Sequence, residues 1–372
     1  MKPNILQQNI PNGWKFQKVE ELFEIGRGRV IGKGEIQQNP GPYPVYSSQT
    51  SNNGEFGRIG TYDFDGEYLT WTTDGIYAGA VFYRTGKFNC TNVCGTLKKK
   101  SNLDSKFFSY ALPLEAERHV VKTANPKLMN NIMAKVVVPV PPLKEQQKIA
   151  EILGAVDENI AKTQELIDTT EKLKRGLMQE LFTPKNSWLN RNLSEVANII
   201  MGQSPSSKNY NEIDNGLPLI QGNADIKDRK SIKRFSTSEI TREVKKGDII
   251  MGVRAPVGCI ATASFDSCIG RGVCGIQPQK IDKNYLYYYL VSKETEFEKK
   301  AQGSTFTAIN SSEVRKINIV FPNNKEEQKE IADILSSIDE KISVNKGLKE
   351  KLITLKKGLM QDLLSGRVRV NI

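Results

Sequence analysis

A chain of 372 residues, 38% hydrophobic and 26% charged, is long enough for two or three domains with proper cores and reads as globular. No run approaches 18 apolar residues and the first residues carry no apolar leader segment, so the expected location, by elimination, is the cytoplasm and not a membrane. The single histidine, His119, leaves little room for His-based metal sites or Ser-His-Asp catalysis. The five cysteines (Cys90, Cys94, Cys259, Cys268 and Cys274) are expected as small buried hydrophobes without a disulfide framework.

In chain order, residues 1–143 form a first globular segment rich in Gly, Pro, Asn, Ser and aromatics. Strand-like runs lie at 67–75 and 78–86, a helix-like run at 105–120, and a closing strand and turn in VVVPVPPL at 136–143. Residues 144–183 read as one long helix. Residues 184–324 repeat the globular character, with strand-like runs at 247–258 and 268–276, a helix-like run at 283–301 and the closing strand INIVFP at 317–322. Residues 325–372 are a second helix and a short tail. The expected fold class is α+β: two mixed α/β recognition segments alternating with two long helices that pair as an antiparallel coiled coil, with approximate twofold symmetry.

The strongest signal is a duplication. Residues 145–183 recur without a gap at 327–365, and Ile149/Ile331 and Leu177/Leu359 are both 182 apart. A weaker match relates Trp14 to Trp188 and Gly28 to Gly202 at an offset of 174, so the register shifts by 8 inside the second globular segment. In each helix apolar residues recur at steps of three and four. They run from Ile149 through Val156, Leu166, Ile167, Leu173 and Met178 to Leu181, and from Ile331 through Ile334, Ile338, Ile342, Leu348 and Leu355 to Leu363. Thr163, Thr170 and Asn345 interrupt the stripe. Each helix is the obvious cover for the other's stripe, and some 34 helical residues at about 1.5 Å each span on the order of 50 Å, a spacer of about one to one and a half turns of duplex DNA.

Charge separates the parts. The net +11 resides in the globular segments, +6 in residues 1–144 and +6 in 184–324, whereas 145–183 carry −3 and 325–365 are neutral. Basic globular segments on neutral or acidic helices point to a polyanion met by the globular parts, with counterion release as the driving force. Loop residues able to contact base edges or phosphates are Ser47, Ser48, Gln49, Asn52, Asn53, Arg58, Thr72 and Thr73 in the first segment. In the second they are Gln203, Ser204, Ser206, Ser207, Lys208, Tyr210, Gln221, Asn223, Arg254, Arg271, Ser304 and Thr305.

Catalytic signatures are missing. Gly28–Gly34 is too short for a phosphate-binding loop and lacks its Ser/Thr. Asn39-Pro40-Gly41-Pro42-Tyr43 departs from the Asn-Pro-Pro-Tyr box of amino methyltransferases by an inserted glycine, and no nuclease-like carboxylate–lysine cluster stands out. The chain is expected to be no enzyme by itself and to bind no cofactor or metal of its own.

The pairs PPLKEQQKIAEIL with KEEQKEIADIL, and LKRGLMQELFT with LKKGLMQDLLSGRVRV, resemble the helical regions of the specificity subunit of type I restriction–modification systems. MGQSPSSKNY, RAPVG and IGRG are similar to one subclass of that family's target recognition domains. The resemblance implies that each recognition domain reads one half of a split double-stranded DNA target. It further implies that the helices set the gap and dock two modification subunits, which bring S-adenosylmethionine and adenine methylation. A restriction subunit would add ATP- and Mg-dependent translocation and cleavage. Alternatives are a helix-mediated assembly scaffold whose globular domains bind proteins, and a stand-alone methyltransferase or nuclease.

Overall fold

The computed structural model describes residues 11–302 and 308–371. The chain divides into two compact units, one of residues up to 163 and from 348 onward, the other of residues 164–347. Among the described residues, the helices of ten residues or more are α1 (Ser105–Ala116), α2 (Leu143–Leu181), α3 (Lys283–Ser292) and α4 (Lys325–Leu364). The two long helices begin at Leu143 and Lys325. Each is then divided between the units near its middle, so no unit owns a whole helix.

In the first unit, strand 15–18 pairs antiparallel with strand 137–140. A four-stranded antiparallel sheet has the order 23–27, 94–99, 68–72, 81–84. A second four-stranded sheet has the order 55–59, 43–46, 87–90, 64–65, with 43–46 running parallel to 87–90. Helix α1 starts because Asp104 caps it, its Oδ1 accepting from Phe107 N–H at 2.8 Å. It buries Phe107, Phe108, Ala111 and Leu112 against Phe23, Leu69, Trp71 and Leu97 of the first sheet.

The second unit repeats this plan. Strand 188–192 pairs with 318–322, and a six-stranded sheet begins 197–201, 273–278, 249–252, 260–262. A five-stranded sheet contains 217–220 parallel to 267–269, and Asp282 caps α3 through Tyr285 N–H at 2.8 Å. The equivalence holds residue by residue. Thr91 N–H donates to the Tyr46 carbonyl and Gly270 N–H to the Ile220 carbonyl, both at 2.8 Å. By strand register the offset is 174 at Tyr46/Ile220 but 180 at Leu69/Ile249. Most of the added residues therefore enter between those strands, where the second unit builds 226–227, 230–231 and 235–237.

The helical repeat is accounted for by what its residues hold. Buried Gln146 donates to the Pro141 carbonyl (2.8 Å) and accepts from Asp104 N–H (3.0 Å). Its counterpart Gln328 donates to the Pro322 carbonyl and accepts from Asp282 N–H, both at 2.7 Å. One glutamine thus ties the closing strand to the cap of the globular helix in each copy. Further along, Tyr110 of α1 donates to Asp157 of α2 (2.8 Å), which pairs with Lys356 of α4 (2.6 Å). Tyr288 of α3 donates to Asp339 of α4 (2.9 Å), which pairs with Lys174 of α2 (2.5 Å). Burial, with the neighbouring aspartate second, pushes both tyrosine hydroxyls well above their ordinary range.

These contacts set α2 and α4 antiparallel within each unit: 157 meets 356 and 145 meets 369 in one, 171 meets 346 and 174 meets 339 in the other. Ile149 and Leu153 of α2 and Leu363 and Leu364 of α4 enter the first unit's core, and Met178, Phe182, Ile331 and Leu335 enter the second's. The helices therefore cover each other and also pack on the globular parts. Part of the expected stripe is corrected. Leu166, Leu173, Ile334, Leu348 and Leu355 are exposed, because the seam is narrow and made by Ile167, Ile338 and Ile342. Thr163 is buried on it, its hydroxyl satisfied by the Asn159 carbonyl at 2.7 Å.

Candidate nucleic-acid interface

In each unit four loops meet at the parallel strand pair. In the first they are the ends of strands 23–27, 43–46 and 68–72 and the turn 91–93. Gly28 N–H donates to the Cys94 carbonyl, Arg29 N–H to that of Cys90 and Thr73 N–H to that of Val93. In the second unit Gly202 N–H donates to Val273, Gln203 N–H to Ile269 and Val253 N–H to Gly272. By this register Gln221 takes the place of Ser47, Arg254 that of Asp74 and Arg271 that of Asn92.

The second unit's loops enclose a cavity of about 420 Å³ lined by Ser204, Ser207, Tyr210, Gln221, Arg254 and Arg271, with Pro205 and Gly272. Six residues picked from the sequence are thus brought together. The Gly-Arg-Gly turn explains itself: a Cβ at Gly272 would lie 2.1 Å from the Gln221 carbonyl oxygen, and one at Gly202 would lie 2.1 Å from that of Gly270. Only glycine fits at these two close approaches, and Arg271 is the side chain the turn can present. Ser204 Oγ accepts from Arg271 N–H at 3.1 Å and fixes that turn. Tyr210 donates to the Pro205 carbonyl at 3.1 Å. Glu239 accepts from Ser206 N–H (2.8 Å) and Asn209 Nδ2 (2.7 Å), bonds that hold its carboxyl below the usual range and order the loop carrying Ser206, Ser207 and Lys208. Among the described residues no carboxylate lines the cavity and none pairs with Arg254 or Arg271. Gln203 is exposed outside it. Asn223 is turned to the Pro256 carbonyl (2.7 Å) while its Oδ1 is buried without a partner. Ser304 and Thr305 lie outside the described residues.

The first unit is built differently at the same place. Arg27, which is not among the residues expected from the sequence, donates to the Asn92 carbonyl (2.6 Å) and Thr73 Oγ1 (3.0 Å), and pairs with Asp74 at 3.5 Å. Thr73 in turn donates to Asp74 at 2.6 Å, and Lys127 stands 3.7 Å from the same carboxylate. Thr72 and Thr73 are both buried; Thr73 supports this network, whereas the Thr72 hydroxyl has no hydrogen-bond partner among the described residues. Arg58 is engaged as well: its guanidinium forks onto Glu55 (2.8 and 2.9 Å) and donates to the Pro42 carbonyl (2.9 Å). Ser47 accepts from Thr91 (2.9 Å), and Gln49 is bonded to the Glu55 carbonyl. Asn52 and Asn53 are exposed at φ of 47° and 51°, a left-handed turn that suits asparagine. Ser48 is half-buried. The signal for Arg27 was a basic residue closing a strand opposite an acid, legible only once the strands are paired.

Asn39–Tyr43 ends a short helix and enters strand 43–46, and Gly41 lies against Gly60, where a Cβ would come within 2.4 Å of the Gly60 Cα. Among the described residues there is no group of three metal-ligating side chains and no helix long and apolar enough to cross a membrane.

Comparison with known proteins agrees with the duplicated plan. The family model for the type I restriction modification DNA specificity domain matches residues 11–172 and again 185–354. A Mycoplasma pneumoniae protein named as the type I specificity subunit S.MpnORF507P is 32% identical over 332 residues, covering 86% of this chain and 88% of its own length. A Methanocaldococcus jannaschii protein named as the MjaX type I restriction enzyme specificity subunit is 32% identical over 408 residues, covering 97% of this chain and 95% of the relative. The crystal structure of a type I restriction-modification S subunit from M. genitalium superposes with a TM-score of 0.70 over 96% of this chain and 97% of that one, at 18% identity, a likeness of fold. The chain belongs to the type I restriction–modification DNA specificity family.

Proposed function

We propose that each unit reads one half of an asymmetric, bipartite double-stranded DNA target, while the paired helices set the gap and dock two modification subunits. The observation that carries this reading is the contrast within the duplication. Residues that bind helix to helix and helix to sheet are repeated, whereas the four converging loops carry Arg254, Arg271 and Gln221 in one unit and Asp74, Asn92 and Ser47 in the other. Two readers on one scaffold with unlike loops demand unlike half-targets. The chain contributes no catalysis. S-adenosylmethionine enters with the modification subunits, and ATP with Mg²⁺ enters with a restriction subunit; this assembly acts in the cytoplasm.

A map of N6-methyladenine in the host genome, with the gene present and deleted, tests the proposal. Methylation at one asymmetric split motif should vanish on deletion, and exchange of residues 184–324 should alter one half of the motif only. An altered domain that leaves both halves unchanged sinks the reading. Binding that ignores DNA sequence and salt would favour the scaffold alternative.

A further inference from the structure

We infer that the cavity of the second unit is a guanine site, in which Arg254 and Arg271 donate to the O6 and N7 acceptors of a guanine in that unit's half-target. The inference rests on the DNA-reading function proposed above and assigns it a base. Each guanidinium carries five N–H donors and no acceptor. Among the described residues no carboxylate lines the cavity, so both exposed guanidinium groups are free to donate to an acceptor-rich partner from outside. In DNA that chemistry belongs to the paired acceptors of guanine's major-groove edge and to phosphate oxygens; adenine and cytosine each present an amino donor, and thymine presents only the single O4 acceptor beside its methyl group.

The geometry favours the base. Arg271 is the single side chain of a turn whose flanking glycines pack on the backbone of Gln221, and its N–H is fixed by Ser204. Arg254 is brought beside it by the bond of Val253 N–H to the Gly272 carbonyl at 2.9 Å. Two loops tied to each other thus aim two forks into one concavity of about 420 Å³, with the Gln221 amide at its wall. A contact that only follows the phosphate backbone needs no such walls. In the first unit the corresponding place holds Asp74, already engaged with Arg27, Thr73 and Lys127, and offers an acceptor instead. Guanine is therefore selected at this position in one half of the target and not at the equivalent position in the other.

The test uses the full chain assembled with the modification subunits of its own system. Methylated motifs are mapped for the unaltered chain and for Arg254→Ala, Arg271→Ala and Arg271→Lys, the last keeping charge while losing the fork. The motif should contain a guanine in the half changed by exchanging residues 184–324. Each alanine variant should relax the requirement for that guanine by about 5- to 150-fold against other bases, with the remaining positions and the gap unchanged. Arg271→Lys should relax it as well. If the alanine variants lose methylation uniformly across sequences, with a shallower salt dependence, or if Arg271→Lys restores the motif in full, the arginines contact phosphate and the guanine assignment fails while the reading function stands. If the unaltered chain directs no bipartite motif, the reading function itself fails.

Discussion

Replacing Arg369 by alanine should cost the first unit far more than replacing Lys185 costs the second, although the two cations serve equivalent glutamates. Arg369 grips Glu145 with Nε at 2.7 Å and Nη2 at 2.8 Å, and Trp14 Nε1 donates to the same carboxylate at 2.9 Å. The Glu145 side chain is 1% exposed, so truncating the arginine leaves a buried charge held by one indole. Removing one partner of a fully buried pair costs about 3–5 kcal/mol. Arg369 is itself 41% exposed and water reaches the vacated place, so the expected loss is about 2–3 kcal/mol. In the second unit Lys185 pairs with Glu327 at 2.8 Å with side chains 66% and 32% exposed, and Trp188 Nε1 donates to nothing. Lys185→Ala should therefore cost less than about 1 kcal/mol. Hydrogen exchange of the amides in strands 15–18 and 137–140, against those in 188–192 and 318–322, reads the two losses separately. Equal losses in the two units, or no loss on Arg369→Ala, would refute the argument from burial.

Gln146→Leu and Gln328→Leu should each strand one backbone N–H and one proline carbonyl, costing about 2–4 kcal/mol, visible as a lowered urea midpoint; a neutral result means that water replaces the amide. Alkali should unfold the second unit. Tyr285, Tyr288 and Tyr289 are pushed above their ordinary range by burial and Tyr287 to about 12, so the folded state keeps protons that the unfolded state releases. Stability is then full below about pH 10 and falls as pH rises past it; phenolate absorbance rising in one smooth step at the ordinary tyrosine pKa contradicts this. Deleting seven residues between Asp157 and Lys174 and seven between Asp339 and Lys356 should shorten the gap in the methylated motif by about 3 base pairs, from about 10 Å of helix. An unchanged gap would end the spacer idea.

The helices were legible because a stripe at steps of three and four survives in any context, and the repeat at 182 marked Gln146, Asp157 and Lys174 with their partners before their contacts were visible. Which face a partner covers was not legible: Leu166 and Leu173 obey the same spacing as Ile167, yet only Ile167 is buried. In the loops, residue type suggested candidates but could not separate a free donor from an engaged one. Arg58 and Arg271 look alike in sequence, and they differ because Glu55 lies three residues before the first while, among the described residues, no acid pairs with the second. Thr72 and Thr73 read as loop hydroxyls because a polar strand end resembles a loop until its neighbours are placed.

The likeness of the two helical copies, strongest toward their ends, follows from how they are used. The first unit takes Asp157 from the start of one helix and Lys356 from the end of the other; the second takes Asp339 and Lys174 in the same way. Each copy must therefore supply both an aspartate for its own globular helix and a lysine for the other copy's. A change in one copy alone disrupts a contact of the unit served by the other, because Lys174 follows the first globular segment in sequence yet holds Tyr288's aspartate. No such reciprocity ties Arg254 to Asp74, which answer to separate surroundings. Self-complementarity keeps the helices alike, and its absence lets the reading loops differ.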